Sequence, residues 1–82
     1  MGNSWKLYIL RCGDGSLYTG ITTDVERRLE EHRSGKGAKY TRSRGPLELA
    51  YVEDCADKST ALKRECRIKS MKRAEKLKLI QK

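Results

Sequence analysis

The sequence predicts a small α/β (α+β) fold: a three-stranded antiparallel sheet flanked by helices, in the order β-β-α-β-α-α. Three observations point there. Two runs of aromatic and branched residues, WKLYILRC (5–12) and LYTGIT (17–22), bracket the turn signal Gly13-Asp14-Gly15. A third such run, LELAYVEDC (47–55), stands alone further along. Charged stretches that open on helix-capping residues follow the second and third runs. With 82 residues there is room for one domain, residues 1–82, and only a marginal core.

The first two strands form a hairpin whose register stays open at this point. A three-residue loop over Gly13-Asp14-Gly15 sets Leu10 opposite Tyr18, which places Tyr8 and Tyr18 on one face as diagonal neighbours. A two-residue loop sets Arg11 opposite Tyr18 and sends the tyrosines to opposite faces. Gly20 has no β-propensity reason to sit in a strand; it marks a bulge or a close approach of a ligand to the backbone.

Thr23 and Glu26 have capping-box spacing, so a helix starts at about Asp24 and ends at Gly35 and Gly37. Its apolar stripe is Val25 and Leu29. The segment GKGAKYTRSRGP (35–46) is a basic loop holding three glycines and the only proline. After the third strand, Asp57 or Ser59 caps a helix through ALKRECRIKSMKR (61–73). AEKLKLIQK (74–82) gives a further short helix.

Composition limits the partners. Nineteen Lys and Arg face eleven Asp and Glu, a net charge of +8, which favours polyanions. No stretch approaches the ~18 apolar residues of a membrane span, and MGNSWK has no apolar signal core, so no membrane role is expected. Met1-Gly2-Asn3-Ser4 resembles a myristoylation start, but Lys6 stands where Ser or Thr belongs. Three cysteines without C-x-x-C spacing and a single histidine argue against a zinc site or a disulfide framework. Cys12, Cys55 and Cys66 read as reduced, buried thiols of a cytoplasmic protein.

Several polar residues sit where apolar ones belong. Val25, Arg28, Leu29 and His32 follow the i, i+3, i+4, i+7 rule, so Arg28 and His32 share the apolar stripe instead of opposing it. Arg28 is also within helical reach of Asp24 and Glu31. The helical neighbours of Glu65 are Ala61, Leu62, Ile68 and Lys69, three of them apolar. A carboxylate in such a seam must be paired, hydrogen-bonded or metal-bound. Two tyrosines, an arginine, a histidine and a glutamate are therefore expected against one sheet surface. Phosphodiester hydrolysis needs those parts: a base for water, a cation for the charge growing on phosphate, and a carboxylate for Mg²⁺.

These residues resemble the GIY-YIG nuclease superfamily, and its short stand-alone bacterial branch in particular. The first motif matches Lys6-Leu7-Tyr8, of which only the tyrosine is kept; the second matches Tyr18-Thr19-Gly20, which keeps tyrosine and glycine. The family's helical arginine and histidine match Arg28 and His32, and its metal-binding glutamate matches Glu65 in ALKRE. The segments LYTGIT, ERRLEEH and GAKYT are those of the stand-alone branch, and the resemblance spans about residues 5–80.

The resemblance implies a metal-dependent endonuclease acting on DNA that is branched, flapped or damaged, with RNA as the other candidate polyanion. It implies that Glu65 holds one Mg²⁺ or Mn²⁺. Tyr8 acts as, or helps generate, the general base, and Arg28 neutralises the phosphate. Tyr18 and His32 orient water or phosphate, with His32 a second base. Tyr40 contacts phosphate, and Lys36, Lys39, Arg42 and Arg44 grip the backbone. A monomer is expected, with a protein partner for targeting as a further candidate; the family's late asparagine and an attached DNA-targeting domain have no match in these residues, which bears on activity and specificity. A non-catalytic nucleic-acid-binding module is the alternative.

Overall fold

The first strand lies at the centre of the sheet and is buried on both of its faces. The computed structural model describes residues 4–81, so the myristoylation-like start at 1–3 and the last lysine lie outside the described residues. Strands β1 (Trp5–Arg11), β2 (Leu17–Thr22) and β3 (Glu48–Cys55) form one sheet in the order β2-β1-β3. Both pairings are antiparallel. Helices α1 (Val25–Arg33), α2 (Lys58–Lys69) and α3 (Arg73–Ile80) complete the expected order, with a 3₁₀ turn at Lys39–Thr41 inside the basic loop.

The hairpin takes the three-residue loop. Leu10 faces Tyr18, Tyr8 faces Gly20, and the Cys12 N–H donates to the Ser16 carbonyl across the turn. Side chains of Leu7 and Ile9 therefore point to one face and those of Tyr8 and Leu10 to the other. On the first face Ile68 of α2 closes over Leu7 and Ile9, with Leu17, Ile21, Tyr51, Met71, Leu79 and Ile80 around them. On the second face His32 of α1 meets Tyr8. Ala50 is left without a partner between Tyr51 and Leu49, a bulge in β3 opposite Ile9 and Leu10.

The helix ends follow local chemistry. Asp24, not Thr23, is the N-cap of α1; its carboxylate accepts the Arg27 N–H at 3.1 Å. Glu26 thus falls one place short of the capping-box position, and Thr22 instead accepts the Asp24 N–H. At the other end the Lys36 N–H donates to the Glu31 carbonyl and the Gly35 N–H to that of His32, a Schellman closure with Gly35 left-handed at φ 84°. Of the two candidate caps for α2, Asp57 is the one used, accepting the Thr60 N–H. The cysteines are free, but they are not uniformly buried: Cys12 is buried, Cys55 half-buried and Cys66 exposed on α2.

Candidate active site

Tyr8 stands at the middle of β1, 2% exposed, and its phenol leans across the edge strand β2. Gly20 makes that possible. A Cβ there would fall 2.5 Å from the Tyr8 hydroxyl and 2.7 Å from its Cζ. The close approach that the glycine permits is thus that of a side chain of this chain. Tyr18, diagonal on the same face, places its ring centroid 6.4 Å from that of Tyr8.

Both ring nitrogens of His32 are engaged. Nε2 lies 2.9 Å from the Tyr8 hydroxyl and Nδ1 lies 2.8 Å from the Thr41 hydroxyl. The imidazole is 1% exposed because the loop after α1 folds over it. Gly37 packs so closely there that any Cβ would collide with Nδ1 and the ring. Burial, and then the nearby Arg28 charge, hold His32 below the usual histidine pKa, while Glu31 pulls the other way. The ring is therefore neutral at physiological pH.

Burial pushes the Tyr8 phenol up to about 12, and the Arg28 guanidinium beside it opposes that rise. Tyr18 and Glu65 add to it, Glu65 with the smallest effect. Arg28 gives its well-formed hydrogen bond to Glu31, at 3.0 Å, rather than to Asp24. Glu65 is paired with Lys69 at 3.3 Å and keeps 20% of its side chain exposed.

Tyr8, Tyr18 and His32 share one face, as expected; Glu65 does not join them there. Its helix covers the opposite face, since Ala61 and Ile68 take the buried positions of α2. The charge of Glu65 still reaches Tyr8, as the weakest of the influences that raise the phenol's pKa. The sequence places Glu65 correctly among apolar neighbours but does not reveal which layer they belong to.

The basic loop divides into two kinds of cation. Lys36, Lys39 and Arg42 are exposed and form no ion pair among the described residues. Arg44 is tied down. It donates to Asp14 in the hairpin turn at 2.6 Å and to the Tyr40 carbonyl at 2.8 Å, and its guanidinium lies 4.2 Å over the Tyr40 ring. Tyr40 in turn stacks on Tyr18, with centroids 5.8 Å apart. The Ser16 hydrogen bonds, and then Arg44, hold the Asp14 carboxyl at about 2, well below the usual range. Arg44 therefore buttresses an aromatic stack, where the sequence reading gives it a grip on the nucleic-acid backbone. Thr41 and Gly37, which hold His32, belong to the GAKYT segment of the resemblance, but nothing in the residue pattern points to their contact with the imidazole.

Among the described residues no group of three or more His, Cys, Asp and Glu side chains forms a metal cage. A single carboxylate suits a hard, hydrated cation that keeps most of its waters and shares the phosphates of a substrate. It does not suit zinc.

A family model described as the GIY-YIG catalytic domain matches residues 4–78. The chain belongs to the GIY-YIG family. One relative, the UPF0213 protein OB0043 of Oceanobacillus iheyensis, is 59% identical over 99% of this chain and 94% of its own length. Among solved structures, that of the UPF0213 protein BH0048 from Bacillus halodurans is 47% identical with a TM-score of 0.62. It covers 95% of this chain and 83% of that one. The structure of EF2693 from E. faecalis is 41% identical with a TM-score of 0.68, covering 98% and 85%. Like this chain, the GIY-YIG relatives are short. Among the described residues no helix is long and apolar enough to cross a membrane. Membership in a family of nuclease domains makes nucleic acid the substrate class, in keeping with the +8 charge.

Proposed function

We propose that this protein is a metal-dependent endonuclease that hydrolyses phosphodiester bonds in DNA, with branched, flapped or damaged DNA as the preferred form. The observation that carries the reading is the 2.9 Å contact between the Tyr8 hydroxyl and a buried, neutral His32, with the Arg28 guanidinium beside the phenol. The +8 charge and the exposed Lys36, Lys39 and Arg42 support a nucleic-acid substrate.

A phenol held at about 12 is a poor base by itself. Coupled to His32 it needs no standing phenolate. The attacking water gives a proton to the Tyr8 oxygen as the Tyr8 proton passes to His32 Nε2. The water oxygen forms the new bond to phosphorus, the bond to the leaving oxygen breaks, and solvent protonates that oxygen. Arg28 offsets the charge gathering on the non-bridging oxygens. Tyr18 and Tyr40 form an aromatic wall beside the phosphate. A Mg²⁺ or Mn²⁺ ion held by Glu65 would add Lewis-acid stabilisation to the phosphate. Substrate phosphate would draw Arg28 from Glu31, and the cation would draw Glu65 from Lys69. Both present pairings are partly exposed, and such pairs are weak.

The test is incubation of the purified protein with flap, nicked and four-way junction DNA, and with RNA of equal length, in Mg²⁺ or Mn²⁺. Cleavage of DNA that Tyr8→Phe and Glu65→Ala each reduce by at least ~10²-fold supports the reading. Salt-sensitive binding without turnover would make the protein a non-catalytic binding module, a reading that the paired states of Arg28 and Glu65 favour. Preferential cutting of RNA would move the substrate.

A further inference from the structure

Thr41 lies in the 3₁₀ turn of the basic loop, 1% exposed, and none of the steps above uses it. Its hydroxyl has one proton and two neighbours. The Ala38 carbonyl oxygen, at 2.9 Å, only accepts. The Thr41 proton therefore goes there, and the threonine oxygen is left as an acceptor facing His32 Nδ1 at 2.8 Å. An acceptor at that distance requires the imidazole proton on Nδ1. Nε2 is then a bare lone pair, and the contact of 2.9 Å to Tyr8 is a bond in which the phenol donates.

One contact works against this. The Ala38 N–H points at Nδ1 from 3.3 Å, and as a true donor it would demand the opposite tautomer, with Nε2–H donating to Tyr8. The two short contacts outweigh the long one, because 3.3 Å lies just outside the usual range of about 2.7–3.2 Å for an N–H donor whereas both hydroxyl contacts of His32 lie inside it. Gly37, packed on Nδ1, leaves little room for water to take the place of either partner.

We propose that Thr41 is a positioning residue that fixes His32 in the Nδ1–H tautomer, so that Nε2 is free to receive the Tyr8 proton. The catalytic consequence rests on the nuclease reading above; the tautomer itself does not. The carbonyl of Ala38 orders Thr41, Thr41 orders His32, and His32 is set to receive a proton from Tyr8. The same residue also ties the basic loop to the catalytic pair, since it is the immediate neighbour of Tyr40 and Arg42.

The tautomer is read in the whole chain, without nucleic acid or metal, from the two imidazole ¹⁵N shifts and their couplings to the ring protons. The wild type should show a protonated Nδ1 and a bare Nε2. Thr41→Ser, which keeps the hydroxyl, should preserve that pattern. Thr41→Val, which keeps the shape and removes the acceptor, should move the proton to Nε2, because the Ala38 N–H is then the remaining partner of Nδ1. Turnover should fall on the order of 10²-fold in Thr41→Val with KM little changed, and recover in Thr41→Ser. A wild type protonated at Nε2 would overturn the proposal even if Thr41→Val failed to fold. So would a folded Thr41→Val with an unchanged tautomer. The predicted tautomer in a protein that cuts no DNA would leave the positioning intact and remove the nuclease reading instead.

Discussion

The two faces of β1 are equally closed to water, and almost nothing else about them is alike. Leu7 and Ile9 on one side and Tyr8 and Leu10 on the other are 0–2% exposed. The first pair meets Ile68 and the apolar residues of α2 and α3. Tyr8 meets an imidazole, a second phenol and a guanidinium. One face is held by area, the other by direction. Apolar contact accepts many solutions of equal volume, whereas a buried polar group accepts only those that satisfy its hydrogen bonds. The apolar face thus sets how firmly the fold stands, and the polar face sets where a few atoms lie.

The largest expected effect on stability is on the apolar face. Ile9→Ala should lower the unfolding free energy by about 2–5 kcal/mol in urea titrations, for lost burial plus the cavity left behind. Tyr8→Phe, on the other face, keeps the ring and leaves His32 Nε2 without its partner. Its cost should stay within about 1–3 kcal/mol. An equal loss from both would mean that the faces are not distinct after all. Gly20→Ala comes next, at about 1–3 kcal/mol, because the new methyl collides with the Tyr8 phenol. Pairing it with Tyr8→Ala should cost less than the two changes added, since the second removes what the first collides with.

The sheet and its helices were legible in the sequence because capping, turn and alternation signals are local. Asp57 caps as such residues do. Thr23 misled because a threonine and an aspartate in succession both satisfy cap chemistry, and the choice depends on where β2 lets go of the chain. Three of the five candidate site residues, Arg28, His32 and Glu65, are legible as polar groups in apolar stripes, whereas Tyr8 and Tyr18 look like ordinary strand aromatics until the family resemblance marks them. What was not legible is tertiary. The hairpin register sets Gly20 opposite Tyr8, yet nothing local says that the phenol fills the vacant Cβ position. No periodicity tells which side of the sheet a helix covers, so the sequence does not show that the helix of Glu65 packs on the face of Leu7 and Ile9. Arg44 looked like Arg42 because charge is visible in a sequence and an aspartate thirty residues away is not.

A smaller effect follows from titration, and it has opposite signs at the two ends of the pH scale. His32 holds its proton less tightly folded than unfolded. On acidification through the ordinary histidine range the unfolded chain gains that proton first, so stability falls as pH drops below about 6.5. The fall should be shallower in His32→Gln. Tyr8 holds its proton more tightly, up to about 12 against 10.0. Its contribution is complete below the lower value and is lost as pH climbs towards the upper one. Absorbance titration at alkaline pH should show a late tyrosine step that disappears in Tyr8→Phe.

The smallest effect on folding separates the two arginines of the basic loop. Arg42 is exposed and pairs with nothing among the described residues, so Arg42→Ala should leave the urea midpoint where it is. It should weaken DNA binding uniformly across sequences and reduce the slope of log K against log salt by about 1, the signature of one lost phosphate contact. Arg44→Ala should leave that slope nearly unchanged, because its charge is already matched by Asp14. What it should alter is the ring environment of Tyr40, and through it Tyr18, seen as changed aromatic proton shifts in the free protein. If Arg44→Ala lowered the salt slope as much as Arg42→Ala and left the aromatic shifts alone, Arg44 would be a second backbone grip. The polar face would then end at His32 and Tyr18, with no continuation through Tyr40 to the hairpin turn.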